Sequence, residues 1–361
     1  MPTFVDIKPI DTDALERVGF SWFNDEHSEY LVKESLIKIT EDEARAYYDA
    51  ANSLYEMYEE AAEYVIKNDL FDALDIPNTL IEQIKNSWKY ERENHLYGRF
   101  DLSGGIDGLP IKLIEFNADT PTLLVESTLV QLMLLEDNCL THNTQFNNIY
   151  ENVSRKFKKI SESKKGAFSR LLFACVNGND EEKQTVKLLE KMAKDVGLVT
   201  EFSYLEDVDL QREYEFFFKL YPWEDMEDFQ AEEGVSMLNP AYTLLYQSKG
   251  MLAILYELFP TSPYLLETDF CEIKGKYVKK TMFGREGANI EIHENGKLLN
   301  ARDGVYGDYK SIYQRYTQFS KDGDGVYYQA GVFYSDGACG LGFRRGSEIL
   351  DNASQFIGHI I

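Results

Sequence analysis

Between Tyr97 and Thr122 the chain reads YGRFDLSGGIDGLPIKLIEFNADTPT, two segments of alternating polarity around Asp107-Gly108, a dipeptide that favours a hairpin reversal. A turn there sets the strand register: Asp101 falls opposite Glu115, and Arg99 opposite Asn117. Because side chains alternate along a strand, the other face carries Phe100 and Leu102 against Ile114 and Phe116, an apolar surface fit for burial. One register thus separates core from chemistry. Cross-strand neighbours lie roughly 5 Å apart, close enough for two carboxylates and an amide oxygen to share a hard cation such as Mg²⁺. Spacing alone leaves a second reading open: a surface hairpin whose outer face holds an Arg99–Asp101 ion pair.

The rest of the chain can supply a large core around such a hairpin, since 44% of its 361 residues are hydrophobic and 14% aromatic, enough for two or three lobes. Its 62 acidic and 37 basic residues leave a net charge of −25, which argues against nucleic acid or an anionic membrane as a bulk partner. A phosphate-handling protein of this charge must concentrate its cations locally. The four cysteines, Cys139, Cys175, Cys271 and Cys339, are far apart with no CxxC pair, so reduced thiols are expected rather than disulfides or zinc. No apolar run reaches the length of a membrane span, and the first residues lack a signal-peptide pattern, so a cytoplasmic location is the expectation.

Thr40 and Glu43 form a capping box ahead of Ala44, Tyr47, Ala51, Leu54, Tyr58, Ala62 and Val65, which predicts a helix from Thr40 to about Lys67 with this stripe in the core. A second helix is expected from Pro77-Asn78 through Trp88. A third covers Leu123 to Leu135. From Ser169 the pattern becomes strand, helix, strand: Leu171–Val176, a helix from Asp180 to Val196 stopped at Gly197, Leu198–Tyr204, then Glu215–Tyr221. This is an α/β unit of Rossmann type, yet Asn177-Gly178-Asn179-Asp180 lacks the GxGxxG spacing that cradles a dinucleotide pyrophosphate. A helix near Lys249 to Phe259 precedes a strand-rich region with turns at Asn295-Gly296, Asp303-Gly304 and Asp322-Gly323.

Cations collect in that last region. Tyr277 to Ile290, YVKKTMFGREGANI, reads as a strand running into a loop where Gly284 and Gly287 flank Arg285. Glycines let backbone approach phosphate closely, while Lys280 and Arg285 would offset its charge. Arg344 and Arg345 alternate faces on a later strand, so one of them can point toward this loop. Taken singly, each basic residue also reads as a solvated surface charge.

In this order the segments GRFD, EFNADTPT, WED, YLLETDF, VKKTMFGREGAN, IYQ and RRGSE resemble the synthetase portion of glutathionylspermidine synthetase and the shorter acid–amine ligase-like proteins related to it. The resemblance implies an α/β (α+β) chain with an ATP-grasp fold. It would comprise a helical N-terminal region over residues 1–95, a metal-binding hairpin and following helix over 96–135, a Rossmann-like pre-ATP-grasp domain over 165–235 and a nucleotide-binding lobe over 240–361. It also implies that ATP activates an acid as its acyl phosphate, which an amine captures as an amide. By this resemblance Asp101, Glu115 and Asn117 correspond to Mg²⁺ ligands and Arg99 to the residue that stabilises the transition state. Arg99, Phe100 and Asp101 join the nucleotide contacts. Lys249 and Lys280 match the phosphate lysines, and Arg285 and Gly287 the loop over the phosphates. Gln314, Arg315, Tyr316 and Thr317 match the connection along adenine, Arg345 a further active-site arginine, and Leu350, Asp351 and Asn352 a last nucleotide contact.

For the substrates, the resemblance points to Thr120 and Thr122 beside the acid, a peptide or amino acid, and to Glu181, Glu182 and Asp225 around the amine, a polyamine. Acids in the first turn of a helix also favour its dipole without any ligand. The first ninety or so residues contain no cysteine, so the amidase activity of bifunctional relatives is not expected. The implied partners are small-molecule substrates, with no nucleic acid and no membrane; a homodimer is allowed. Two other readings stay open from the residues: a kinase-like phosphotransferase, which uses similar parts, and an ATP-binding regulatory protein without turnover.

Overall fold

The computed structural model describes residues 1–25, 28–140, 145–163, 170–210, 213–226, 229, 234–351 and 353–361. Its architecture is mixed α/β. The hairpin strand Gly98–Ser103 pairs antiparallel with Lys112–Asn117 on one side and Tyr327–Tyr334 on the other, and the sheet continues through Ala338–Gly346 to Gln355–Ile357. The hairpin is therefore wedged into a sheet built largely from the C-terminal part of the chain. A second, antiparallel sheet has the order Thr268–Asp269, Ser311–Arg315, Lys276–Thr281, Ile290–Glu294, Lys297–Arg302. A third, parallel sheet runs Ser236–Leu238, Phe216–Leu220, Arg170–Cys175, Val199–Tyr204, with the helix Asp180–Asp195 following its first strand in sequence.

The helix Glu41–Asn68 starts at the expected capping box, with Thr40 and Glu43 bonding reciprocally, and all seven stripe residues are buried. It covers the apolar side of the hairpin. Phe100 and Phe116 stack at 3.8 Å between ring centres, and Tyr58 meets Phe116 at 5.1 Å. Burying such a ring contributes roughly 1.5–3 kcal/mol, so this face anchors the register that the polar face uses.

The expected hairpin register holds from Arg99 to Asp101 and then slips by one residue between Asp101 and Leu102. The slip is a β-bulge, which turns the residues beyond it to the opposite face. Leu102 consequently faces Leu113, which is buried, whereas Ile114 joins the polar side rather than the core. Asp107 and Gly108 both have positive φ, 55° and 76°, as a hairpin turn of this kind requires.

Several boundaries differ from the sequence reading. Before the helix Glu41–Asn68, the N-terminal region carries the strands Thr3–Asp6 and Ser35–Lys38, which form a sheet with His359–Ile360; helix dominates only from residue 41 to 90. Leu123 has φ 65°, and after it comes one widened turn, Glu126–Val130, closed by a bond from the Gln131 amide to the Glu126 carbonyl. The parallel unit follows the expected order and gains a fourth strand, Ser236–Leu238. No helix among the described residues is long and apolar enough to cross a membrane.

Candidate active site

The three sheets converge on a cleft of about 790 Å³. Arg99 and Asp101 reach it from the middle strand, Glu115 and Asn117 from its partner. Arg99 grips Asp101 with two bonds, Nε to Oδ1 at 2.7 Å and one terminal nitrogen to Oδ2 at 3.0 Å, and its other terminal nitrogen donates to the Thr122 carbonyl at 2.8 Å. Room for that guanidinium comes from Gly331 on the neighbouring strand, where a Cβ would stand 3.0 Å from Arg99 Cδ. The Asn117 amide donates to Asp101 Oδ2 at 3.2 Å.

Glu115 is held by Lys249 at 3.0 Å. Burial works against its charged form, but Lys249 and Lys280 outweigh burial and hold the carboxyl below its usual range. Lys280 donates to the Gln314 side chain at 2.7 Å and the Ile114 carbonyl at 3.1 Å, and burial lowers its ammonium to about 8. Burial likewise raises Asp101 against the pull of Arg99. Both carboxylates are thus already paired with cations, and a divalent ion would replace those contacts. No group of three His, Cys, Asp or Glu suited to a metal occurs among the described residues. Two carboxylates and an amide oxygen form a hard donor set that suits Mg²⁺ when phosphate oxygens complete it.

Above these residues runs the glycine loop. Gly287 has φ 70°, and a Cβ there would lie 2.3 Å from the Leu350 carbonyl oxygen, so a side chain is barred by both conformation and space. Arg285 spans the cleft, donating to the Thr120 hydroxyl at 2.8 Å and pairing with Glu224. That pairing raises its guanidinium further, against the cost of burial. Gln314, Arg315, Tyr316, Thr317 and Leu350 also line the cavity.

Thr122, Glu181 and Glu182 also line the cavity, within the influence of Arg99 and Arg285. Glu182 is raised to about 7, by burial first and Glu181 second. Burial raises Glu181 as well, against a bond from the Thr122 hydroxyl and the pull of Arg344. The Asn179 side chain caps the Asp180–Asp195 helix through the Glu182 amide, which fixes where both carboxyls project.

Four expected contacts are not brought into the cleft, and a fifth falls on a residue that is not described. Phe100 turns its ring into the core, as strand alternation demands. Arg345 points to the opposite face of its strand from the cleft, where it bonds Gln355 at 2.9 Å, and its neighbour Arg344 lines the cavity instead. Asp225 is exposed; within the short turn Trp223–Asp225 it is Glu224 that faces inward, with a side chain only 2% exposed. Asp351 turns to Arg302, and Asn352 lies outside the described residues.

Other residues were missed. Asp119 and Lys219 form a fully buried ion pair at 2.9 Å that ties the hairpin exit to the parallel sheet. Trp22, Tyr30 and Glu348 line the cavity. The RRGSE and WED segments contained two of the inward residues, Arg344 and Glu224, but their faces depend on strand and turn phase.

The sequence profile of the glutathionylspermidine synthase preATP-grasp family matches residues 3–361. The chain belongs to this family. A Haemophilus influenzae protein named "Putative acid–amine ligase" is 30% identical over 385 aligned positions, covering 98% of this chain and 97% of that one. The bifunctional glutathionylspermidine synthetase/amidase of Escherichia coli is 27% identical over 353 positions, 86% of this chain and 56% of that protein; the chain spans little more than half the bifunctional relative. Trypanothione synthetase of Crithidia fasciculata is 25% identical, over 82% of this chain and 52% of its own length. Among solved structures, a glutathione synthetase-like effector from Globodera pallida superposes with a TM-score of 0.59 at 9% identity, covering 90% of this chain and 89% of its own, a likeness of fold alone. These curated relatives are named as ligases or synthetases.

Proposed function

We propose that this family member is an ATP- and Mg²⁺-dependent carboxylate–amine ligase with an ATP-grasp fold, in which residues 165–235 form the pre-ATP-grasp domain and 240–361 the nucleotide lobe. The observation that carries this reading is a single cleft lined both by the cations Arg99, Lys249, Lys280 and Arg285 and by the carboxyls of Glu181 and Glu182. The first set suits a polyphosphate; the second suits a cationic amine. An acid placed between them, beside Thr120 and Thr122, reaches both.

In the first step an oxygen of the acid attacks the γ-phosphorus and ADP leaves, giving an acyl phosphate. The amine nitrogen then attacks the acyl carbon and phosphate leaves, forming the amide. Mg²⁺ held by Asp101, Glu115 and Asn117 would supply charge neutralisation at the transferring phosphoryl group. Arg99, anchored at the Thr122 carbonyl once the ion takes its place on Asp101, would face the same oxygens. Lys249 and Lys280 bind the phosphates, and Gln314 to Thr317 lie along the base. Glu182, raised to about 7, is the acceptor for the proton that the ammonium must lose before its nitrogen can attack.

The test is a screen of acid and amine pairs for ADP release, with mass spectrometry of the product and Arg99→Ala as control. An amide formed only when both substrates are present supports the reading. A stable phosphorylated product without amide, or an Arg99→Ala protein as fast as the parent, overturns it.

A further inference from the structure

The acidic end of the cleft has a wall from a part of the chain in which no site motif stands out. Trp22 and Tyr30 both line the cavity, and both donate to one oxygen of Glu126, Trp22 Nε1 and Tyr30 Oη each 2.9 Å from Oε1. Glu126 is wholly buried and begins the widened turn that follows the hairpin. Such widened turns aim a side chain differently from the regular helix around them. Phe20 backs the wall, its ring centre 4.7 Å from that of Trp22 in an edge contact. The chain beyond Tyr30 is stitched to the C-terminal strand through the Tyr30 carbonyl and the Phe356 amide at 2.7 Å.

The wall carries an imbalance of charge. Glu126 Oε2 and Glu182 Oε2 are both closed to solvent without a hydrogen-bond partner. A buried carboxylate oxygen left so is costly. Glu181 stands near enough to both Glu126 and Glu182 to raise each carboxyl, after burial itself, to about 7. Arg344 and Arg99 pull against burial on Glu181, and Arg285 does so on Glu182, yet burial prevails at both carboxyls. The two cavity-lining carboxyls, Glu181 and Glu182, beside two rings match a ligand that is cationic and carries an apolar stem, because rings attract ammonium groups and cover methylenes. They do not match a second anion.

Resting on the ligase reading above, we propose that Trp22 and Tyr30, seated by Glu126, are specificity-determining residues for the amine: they receive its methylene stem and distal ammonium while Glu181 and Glu182 hold the reacting end. Glu126 acts as a positioning residue, through the two rings it fixes. The cleft therefore selects an extended polycationic amine over a short monoamine of the same reactivity.

The test is calorimetric binding of spermidine, a linear triamine, and of butylamine to the full chain, followed by amine KM values from ADP release. The parent protein binds spermidine at least tenfold tighter than butylamine. Trp22→Ala and Tyr30→Ala reduce that preference to threefold or less, while ATP binding is unaltered. Glu126→Gln keeps it, because an amide oxygen still accepts from both donors; Glu126→Leu loses it. Tyr30→Phe, which removes only the hydroxyl, gives an intermediate loss and guards against misfolding of the larger truncation. In turnover the amine KM rises in the ring variants and kcat changes less than threefold.

A parent without the preference, or ring variants that retain it, overturns the proposal. Preferential binding without amide formation from any acid would sink the ligase reading and leave the wall standing. Amide formation with the preference intact in Trp22→Ala would do the reverse.

Discussion

The two ends of the cleft are built in opposite ways. At the phosphate end one hairpin supplies Arg99, Asp101, Glu115 and Asn117, and every carboxylate has a cation within contact: Arg99 on Asp101, Lys249 on Glu115. At the proposed amine end Trp22, Tyr30, Thr122, Glu126 and the Glu181–Glu182 pair arrive from three separate segments, and two carboxylate oxygens have no partner. The first end is electrostatically complete and waits for an exchange of partners. In the second, Arg344 and Arg99 act on Glu181, and Arg285 on Glu182, through space. The ligand proposed for each end follows from that difference.

The joint between the ends is the place to break the comparison most severely. Asp119 and Lys219 are both fully buried, and Asp119 also accepts from the Trp223 amide at 2.8 Å; burial pushes Lys219 down and Asp119 up, so each depends on the other. Lys219→Met leaves Asp119 buried without its cation, and chemical denaturation is expected to show a loss of about 3–5 kcal/mol. Little change in the denaturation midpoint would mean that the two ends are not coupled through this pair.

Next in size, Arg99→Ala removes charge stabilisation from the phosphate end alone. The turnover number is expected to fall by a factor of about 10²–10³, roughly 3–4 kcal/mol in the barrier, with the amine dissociation constant nearly unchanged in calorimetry. Equal losses in both quantities would erase the division of labour.

The amine end is sharpened by pH. Glu126 is raised to about 7 in the folded protein, by burial and then Glu181, against an unfolded glutamate near about 4.3. Stability from its neutral form is complete below the unfolded value and is lost as the pH rises through about 7. Glu126→Gln cannot lose it, so thermal melts should show the variant gaining about 1–3 kcal/mol over the parent between pH 5 and pH 8. A difference independent of pH would place Glu126 in an ordinary polar environment.

The smallest effect separates two neighbours. Asp225→Ala, at an exposed position, should change stability by less than about 0.5 kcal/mol and leave the ATP dependence of ADP release intact. Glu224→Ala frees Arg285 and should shift that dependence. Equal behaviour of the two would remove the assignment of Glu224 to the loop.

What could be read without coordinates followed the range of the interactions. Thr40 and Glu43 cap a helix through neighbours three residues apart. The alternation from Arg99 to Asp101 and the Asp107-Gly108 turn fixed the polar face of the hairpin. The strand–helix–strand order after Ser169 was equally plain. The choice of Arg345 over Arg344 and of Asp225 over Glu224 failed because the phase of a strand or a three-residue turn is set by what lies against it, here Gln329 opposite Arg344 and the Arg285 guanidinium beside Glu224. Ile114 changed faces for a similar reason, since a bulge is a property of the paired strands together.

The amino-acid sequence alone determined the polar face of the hairpin, the capped helix and the family, because each rests on residues close in the chain or on ordered motifs. Only the tertiary structure decided the amine end. Trp22 and Glu126 are separated by 104 positions, and no local periodicity links them. Burial by surrounding elements turned an ordinary glutamate into an uncompensated one, and that is a property of the folded environment rather than of the residue.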